Sequence, residues 1–327
     1  MPPPVASVPD LTTPNLTIPN LTIQQLEYLV AVSRADTWAE AAAWLGVTPS
    51  ALSQGLAELE RRVGVAVFER QGRRRVISPA AGEVLAYAEV VLARTHDLAR
   101  WAAQRLAGRS GQVRIGMIDA AAVHHFPEVL RRFRRDRPDV DLRLTVAPSG
   151  ALVADLRRAA LDLVVCVEPT GHVDDVAWTT VVTEPLRVYA PDEAAAVRPP
   201  RDWGPWVTFP VGSTTRGVIA AAVARAGAPF EVVAESHQPD VLREMVAMGL
   251  GWTVLPVSQA ESGDHPMTPA RLRPVAERRL VLARRTDTVS DPSVDALAAA
   301  LTAALAPALA AAVAGHPDHA PARHLHG

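Results

Sequence analysis

The segment T-W-A-E-A-A-A-W-L-G-V-T-P-S-A-L-S-Q-G-L-A-E-L-E (residues 37–60) decides how the N-terminal part of this chain folds. Thr37, with Glu40 three residues later, forms a capping box that satisfies free amides at a helix start. Gly46 ends that helix, because glycine takes the left-handed C′ conformation at little cost. Thr48 then caps a second helix whose first position is Pro49, where a missing N–H costs nothing. Leu52, Leu56, Leu59 and Val63 line one face of this helix, and Gly64 ends it. Its other face opens with Ser50, Ser53 and Gln54, where a surface helix would normally carry Glu, Lys or Arg. With the helical stripe Ile23, Leu26, Leu29, Val30 and Val32 upstream, the pattern predicts a three-helix bundle with a tight turn at Gly46–Val47.

Downstream, V-A-V-F-E-R-Q-G-R-R-R-V-I-S (65–78) reads as two short strands around a Gln71–Gly72 turn. Arg61, Arg62, Arg70, Arg73, Arg74 and Arg75 crowd residues 61–75 against one acid, Glu69, a compact basic patch. Ser78–Pro79 repeats the start signal, and no breaker except Gly82 follows before Leu106. The rows Val84/Val91/Leu98 and Leu85/Leu92/Ala99/Leu106 have coiled-coil spacing. A helix of roughly 28 residues would be about 42 Å long, and its seam most simply meets a second copy of itself.

After Gly108–Gly111 the pattern alternates. Strands are expected at 113–118, 140–146, 161–167, 186–189, 206–209, 232–234, 253–255 and 280–283. Helices fall between them near Pro127–Phe133, Leu152–Leu156, Arg216–Ala226 and 239–248, with an Ala-rich helix over 293–313. Such alternation implies a mainly parallel sheet with helices on both faces. Residues 1–20, rich in Pro, Thr and Asn, read as a disordered extension, and residues 313–327 as a loose His/Pro tail.

A chain of 327 residues with 49% apolar content suggests two or three domains. No run of about 18 uncharged apolar residues predicts a membrane span, and no signal-peptide pattern opens the chain. One cysteine, Cys166, excludes an internal disulfide framework and suits a reducing compartment, so a cytoplasmic protein is expected. The net charge of −2 gives no global affinity for nucleic acid. All 33 basic residues are Arg, which reads first as genome composition.

A helix–turn–helix lays its second helix in the DNA major groove, with its N-terminal residues at base edges. That gives Ser50, Ser53 and Gln54 partners: Gln pairs bidentately with adenine, and Ser serves most bases. Arg70, Arg73, Arg74 and Arg75 sit on a hairpin able to lie beside that helix, with guanidinium groups suited to phosphates or the minor groove. An ordinary solvated helix start is the alternative for the serines, and a solvated charge run for the arginines. The joint pattern of capped helix, Gly turn, Pro-started helix, Arg hairpin and long helix favours DNA.

Over W-A-E-A-A-A-W-L-G-V-T-P-S-A-L-S-Q-G-L-A-E-L-E-R-R-V-G-V-A-V-F-E-R (38–70) and R-V-I-S-P-A-A-G-E (75–83), the sequence resembles the DNA-binding region of LysR-type transcriptional regulators. The resemblance continues through V-R-I-G (113–116), R-P-D-V-D-L (137–142), L-D-L-V-V (161–165) and V-A-M-G-L-G-W-T-V-L-P (246–256). It implies an α+β multidomain protein: a winged helix–turn–helix over 21–78 and a long linker helix that dimerises over 79–108. It further implies a two-lobed α/β periplasmic-binding-protein-like effector domain, with lobe 1 at 112–183 and 273–312 and lobe 2 at 184–272. Its partners would be double-stranded DNA, a small-molecule effector between the lobes, and a second copy or a tetramer. Thr48 and Pro49 join Ser50, Ser53, Gln54 and the four hairpin arginines as expected DNA contacts. Pro49 and Gln54 stand where the family often has Gln and Arg, so an unusual operator preference is expected.

Carried over by position, the family's effector residues fall on Asp119, Ala120, Ser149, Ser213, Thr214 and Thr215, with Ala121, Pro148, Gly150 and Gly212 beside them. An acid at 119 would repel a carboxylate, which leaves an amine-bearing ligand or a simple helix cap as its role. Arg216 could bind a carboxylate or be a solvated first-turn residue. His124–His125 near Glu128 lack further ligands at zinc-site spacing. Cys166 reads as a buried inert thiol. No dinucleotide fingerprint, phosphate loop or nucleophile elbow is present, so no cofactor, no metal and no catalysis are expected. The competing reading is a small-molecule binding protein or α/β enzyme with an incidental N-terminal helical domain.

Overall fold

The computed structural model describes residues 20–71, 74–107, 111–171, 173, 175–263, 265–286, 288 and 290–304. The N-terminal extension, Arg73 and the His/Pro tail lie outside them. The chain divides into two units, one ending at Thr95 and the other beginning at His96.

In the first unit, Thr22 and Gln25 form a capping box that starts α1 (Ile23–Arg34). Thr37 caps α2 (Trp38–Trp44) by accepting from the Glu40 amide, but the expected capping box does not close, since the Glu40 carboxylate accepts from the Asp36 amide at 2.9 Å instead. Thr48 caps α3 (Pro49–Val63), which has Pro at its start and ends on Gly64 at φ 77°, a left-handed conformation that favours glycine. Leu26, Leu29, Leu52, Leu56 and Leu59 are all at most 2% exposed and form the core between these helices. Burying each is worth roughly 1.5–3 kcal/mol. Strands β1 (Phe68–Gln71) and β2 (Arg74–Ile77) pair antiparallel with Gln71 opposite Arg74. Ser78 was expected to cap the next helix. Instead its hydroxyl donates to the Ala66 carbonyl at 2.6 Å, fastening the base of the hairpin. The chain therefore enters α4 (Gly82–Ala107) through a 3-10 turn at Pro79–Ala81.

In the second unit, β3 (Gln112–Met117), α5 (Pro127–Asp136), β4 (Asp141–Val146), α6 (Ser149–Arg157) and β5 (Leu163–Val167) follow the expected alternation. A π-helical turn, Ala121–His125, lies between β3 and α5. The long β6 (Val176–Tyr189) comes next, then α7 (Glu193–Ala196), β7 (Trp206–Thr208), α8 (Thr214–Arg225) and β8 (Val232–Glu235). The last elements are α9 (Pro239–Ala247), β9 (Thr253–Pro256), α10 (Val257–Ala260), β10 (Ala276–Arg285) and α11 (Pro292–Ala303). Strand order is β4-β3-β5-β10-β6-β9, with β7-β8 joined to it through a Trp206–Trp252 bridge.

The six-stranded sheet is mixed and not mainly parallel: β3 is parallel to β4 and β5, as β7 is to β8, while β10 runs antiparallel to both β5 and β6, and β6 antiparallel to β9. Strands β6 and β10 reach 14 and 10 residues, far longer than the apolar runs at 186–189 and 280–283. They pair along their length, with a register shift at Leu280/Val281. One end of the pair packs with β3, β5, α5, α6 and α11 in one core; the other packs with β7, β9, α8 and α9 in a second core. Two lobes thus share two strands. Gly116 sits where a Cβ would lie 2.6 Å from Leu152 and Leu161, so α6 approaches β3 only over glycine.

Candidate nucleic-acid interface and interlobe cleft

The leucine face of α3 is buried, and the face opposite it is open. Thr48, Pro49, Ser50 and Gln54 are exposed, while Ser53 is half-buried. The Thr48 hydroxyl is committed to the Ala51 amide at 3.2 Å.

Sequence reasoning did not anticipate Glu60. Its Oε1 accepts from the amides of Val67 and Phe68 at 2.9 and 3.0 Å, so the last turn of α3 holds the first strand of the hairpin. Trp38 on α2 packs edge-on against Phe68, with ring centroids 4.9 Å apart. The hairpin that carries Arg70, Arg74 and Arg75 is therefore fastened to both helices of the helix–turn–helix. Arg61 and Arg62 leave the expected basic patch. Both pair with Glu58 at 2.5 Å, and their hydrogen bonds hold that carboxyl down at about 2. Acids one turn upstream must be counted with such a run, and residues 61–75 alone exclude Glu58.

In the second unit, the carboxyl ends of the lobe strands lead into the residues carried over as effector contacts, the usual place for a ligand in such sheets. Asp119 is exposed, whereas Ala120 is 1% exposed and belongs to the lobe 1 core. Ser149 Oγ accepts from the Val167 amide at 3.2 Å. Ser213 caps α8 by accepting from the Arg216 amide, and Thr214 is half-buried beside it. Arg216 is half-buried and not simply solvated: it pairs with Glu235 and donates to the Phe209 carbonyl at 3.0 Å.

Asp119 caps no helix. Its Oδ2 accepts from Gln259 Nε2 at 3.0 Å, a bond from lobe 1 to lobe 2. Gln259 Oε1 in turn accepts from Arg278 Nη2 at 3.3 Å. Arg278 is 4% exposed; its Nη1 donates to Thr215 Oγ1 at 3.0 Å and its Nε to Glu184 Oε2 at 2.6 Å. Glu184, 2% exposed, also meets His125 Nε2 at 2.6 Å and the Ser258 hydroxyl at 2.7 Å. Burial pushes the Glu184 carboxyl up, but the bond from His125, the charge of Arg278 and the bond from Ser258 outweigh it and hold the group at about 2. His125 is therefore the donor to an ionised carboxylate.

This network brings Asp119 and Thr215 together and adds His125, Glu184, Ser258, Gln259 and Arg278. The sequence trace of it is Glu184 and Arg278, each two residues ahead of an apolar strand run, with Arg278 hidden as a signal by its charged neighbours Glu277 and Arg279. Among the described residues no three of His, Cys, Asp and Glu gather as a metal site, and no helix is long and apolar enough to cross a membrane.

Comparison with known proteins agrees with both halves of this geometry. Residues 23–83 match the bacterial regulatory helix-turn-helix protein, lysR family, and residues 106–306 match the LysR substrate binding domain. An uncharacterized HTH-type transcriptional regulator, YfeR of Shigella flexneri, is 28% identical over 284 residues, covering 84% of this chain and 91% of its own. Among solved structures, CbnR, a LysR family transcriptional regulator, superposes with a TM-score of 0.59 at 17% identity, over 87% of this chain and 99% of its own. Full-length CbnR complexed with its target DNA gives 0.57 at 18% identity, over 87% of this chain and 100% of its own. Those structural likenesses establish the shared fold. With both halves matched in order and most of the chain covered, this protein belongs to the LysR family and is a helix-turn-helix transcriptional regulator with an effector-binding domain.

Proposed function

We propose that α3 enters the major groove with Ser50, Ser53 and Gln54 at base edges, Thr48 and Pro49 at the groove edge, and Arg70, Arg73, Arg74 and Arg75 against phosphates. The observation that carries this reading is the open polar row of α3 set opposite Leu52, Leu56 and Leu59, with the arginine hairpin held to the same helix by Glu60. CbnR, which shares this fold, was solved bound to its target DNA. A small molecule between Asp119 and Ser149 on lobe 1 and Ser213–Thr215 on lobe 2 controls that binding, with lobe boundaries near 184 and 273. The chain acts in the cytoplasm as a regulator and not as a catalyst.

A dimer forms through α4, where Tyr87, Leu98 and Trp101 are 58%, 57% and 41% exposed along one helix. Leu98 belongs to the expected heptad row, whereas Leu92, from the second row, is 7% exposed and packs within its own unit.

The test is binding to the DNA upstream of its own gene across a salt series. Several arginine–phosphate contacts make the logarithm of affinity fall linearly with that of salt, with a slope of about −0.9 per neutralised phosphate. Replacing Arg70 and Arg75 by Ala lowers that slope by about two per protomer. A flat salt response, or an unchanged slope in the variant, refutes the hairpin contacts.

A further inference from the structure

The charges linked to Asp119 by hydrogen bonds do not cancel. Glu184 has Arg278 at 2.6 Å, Glu168 has Arg279 at 2.5 Å, and Glu235 has Arg216. Asp119, among the described residues, meets the Gln259 amide and no guanidinium. The connected groups Asp119, Gln259, Arg278 and Glu184 therefore carry one net negative charge when His125 is neutral, and that charge is exposed at Asp119.

The neighbouring polar groups point the same way. Gln259 is anchored by Arg278 through its oxygen, which leaves its amide nitrogen to serve Asp119. A neutral amide is a weaker partner for a carboxylate than a cationic N–H donor, since charge-assisted bonds are roughly twice as strong. A carboxylate ligand placed here would face Asp119 directly, and Arg278 is already engaged by Glu184, Thr215 and Gln259.

Resting on the reading of this cleft as the effector site, we propose that the effector is an organic cation, an amine or guanidine, whose charged nitrogen binds the Asp119 carboxylate and displaces Gln259 Nε2 from it. The Asp119–Gln259 bond is then the interlobe latch that the effector opens. Freed from Asp119, Gln259 remains tethered to Arg278 and can donate to an acceptor elsewhere on the same ligand.

The experiment uses the full chain and two fractions of a bacterial small-metabolite extract, separated on a strong cation exchanger at acidic pH. The retained fraction holds amines, amino acids and guanidines; the flow-through holds acids and neutral sugars. Each is brought to the same pH and ionic strength with a chelator present, and thermal unfolding and the DNA complex are followed. The expected result is that the retained fraction raises the melting temperature by about 5 °C or more and alters the DNA complex. Asp119→Asn abolishes that response while keeping its own cooperative melt, and Asp119→Glu keeps part of it. A response to the flow-through alone, or one that survives in Asp119→Asn, overturns the cationic effector but leaves the cleft as an effector site. Specific DNA binding with no response to either fraction overturns both.

Discussion

Asp97 and Arg285, 188 residues apart in sequence, meet in the interior: Arg285 Nη2 lies 2.9 Å from Asp97 Oδ1 and 2.8 Å from Oδ2. The other terminal nitrogen of Arg285 donates to the carbonyls of Leu156 and Leu161. Arg100, one turn along α4 from Asp97, donates to the Ala159 carbonyl at 2.8 Å. The end of the linker helix is thus built into lobe 1 through charged groups. Asp97→Ala strands Arg285 without a counter-charge at a site where the two side chains are 10% and 7% exposed. The expected cost is about 3–5 kcal/mol, read as a fall in the urea midpoint. Asp97→Leu combined with Arg285→Met recovers most of it, because breaking one half of a buried pair costs more than replacing both.

Gly55 lies in α3 directly under Tyr28. A Cβ there would stand 2.7 Å from two carbons of the Tyr28 ring, which is 6% exposed and cannot swing away. Helix propensity alone would favour Ala over Gly by about 1 kcal/mol. Overpacking costs typically 1–3 kcal/mol, so the steric effect wins and Gly55→Ala destabilises. Hydrogen exchange should speed up in α1 and α3 while the effector domain is unchanged.

Glu184 makes the effector domain sensitive to acid. Its folded-state value of about 2 lies below the ordinary 4.5, so its ionised form contributes stability above 4.5 that is lost as pH falls through about 2. The urea midpoint of the wild-type chain should drop over that window. Glu184→Gln should unfold more easily at neutral pH, since Arg278 loses its counter-ion, and should show a shallower acid response. An identical acid profile in the variant would mean that other carboxylates govern it.

Cys166 lies in the middle of β5 with no exposed surface, and burial pushes its thiol up to about 12. A disulfide-exchange reagent at neutral pH should leave the native chain unlabelled and react once urea unfolds it. Rapid labelling of the folded protein would contradict this.

The N-terminal unit was legible because its signals are local. Thr37, Gly46, Thr48, Pro49 and Gly64 each act within a turn of where they stand, and all five perform the capping or terminating role their chemistry suggests. The long strands β6 and β10 were not, since their continuity rests on cross-strand pairing and not on an unbroken apolar run. Glu184 stands just ahead of one such run, and its partners His125, Ser258 and Arg278 lie 59, 74 and 94 residues away. The same distance hid the role of Gln259, which is 140 residues from Asp119. Position along the chain suggested Asp119 for the cleft; only the three-dimensional contact distinguishes an interlobe bond from a helix cap.

Selection of duplexes from a random DNA pool, followed by affinity measurement with wild type and Gln54→Ala, tests the central claim most directly. The wild-type chain should enrich a two-fold repeated sequence. Gln54→Ala should relax preference at one base pair in each half-site, costing about 1–3 kcal/mol of discrimination there, while affinity for unrelated duplexes is kept. No enriched sequence, or one that Gln54→Ala leaves unchanged at every position, would contradict base reading by the open face of α3.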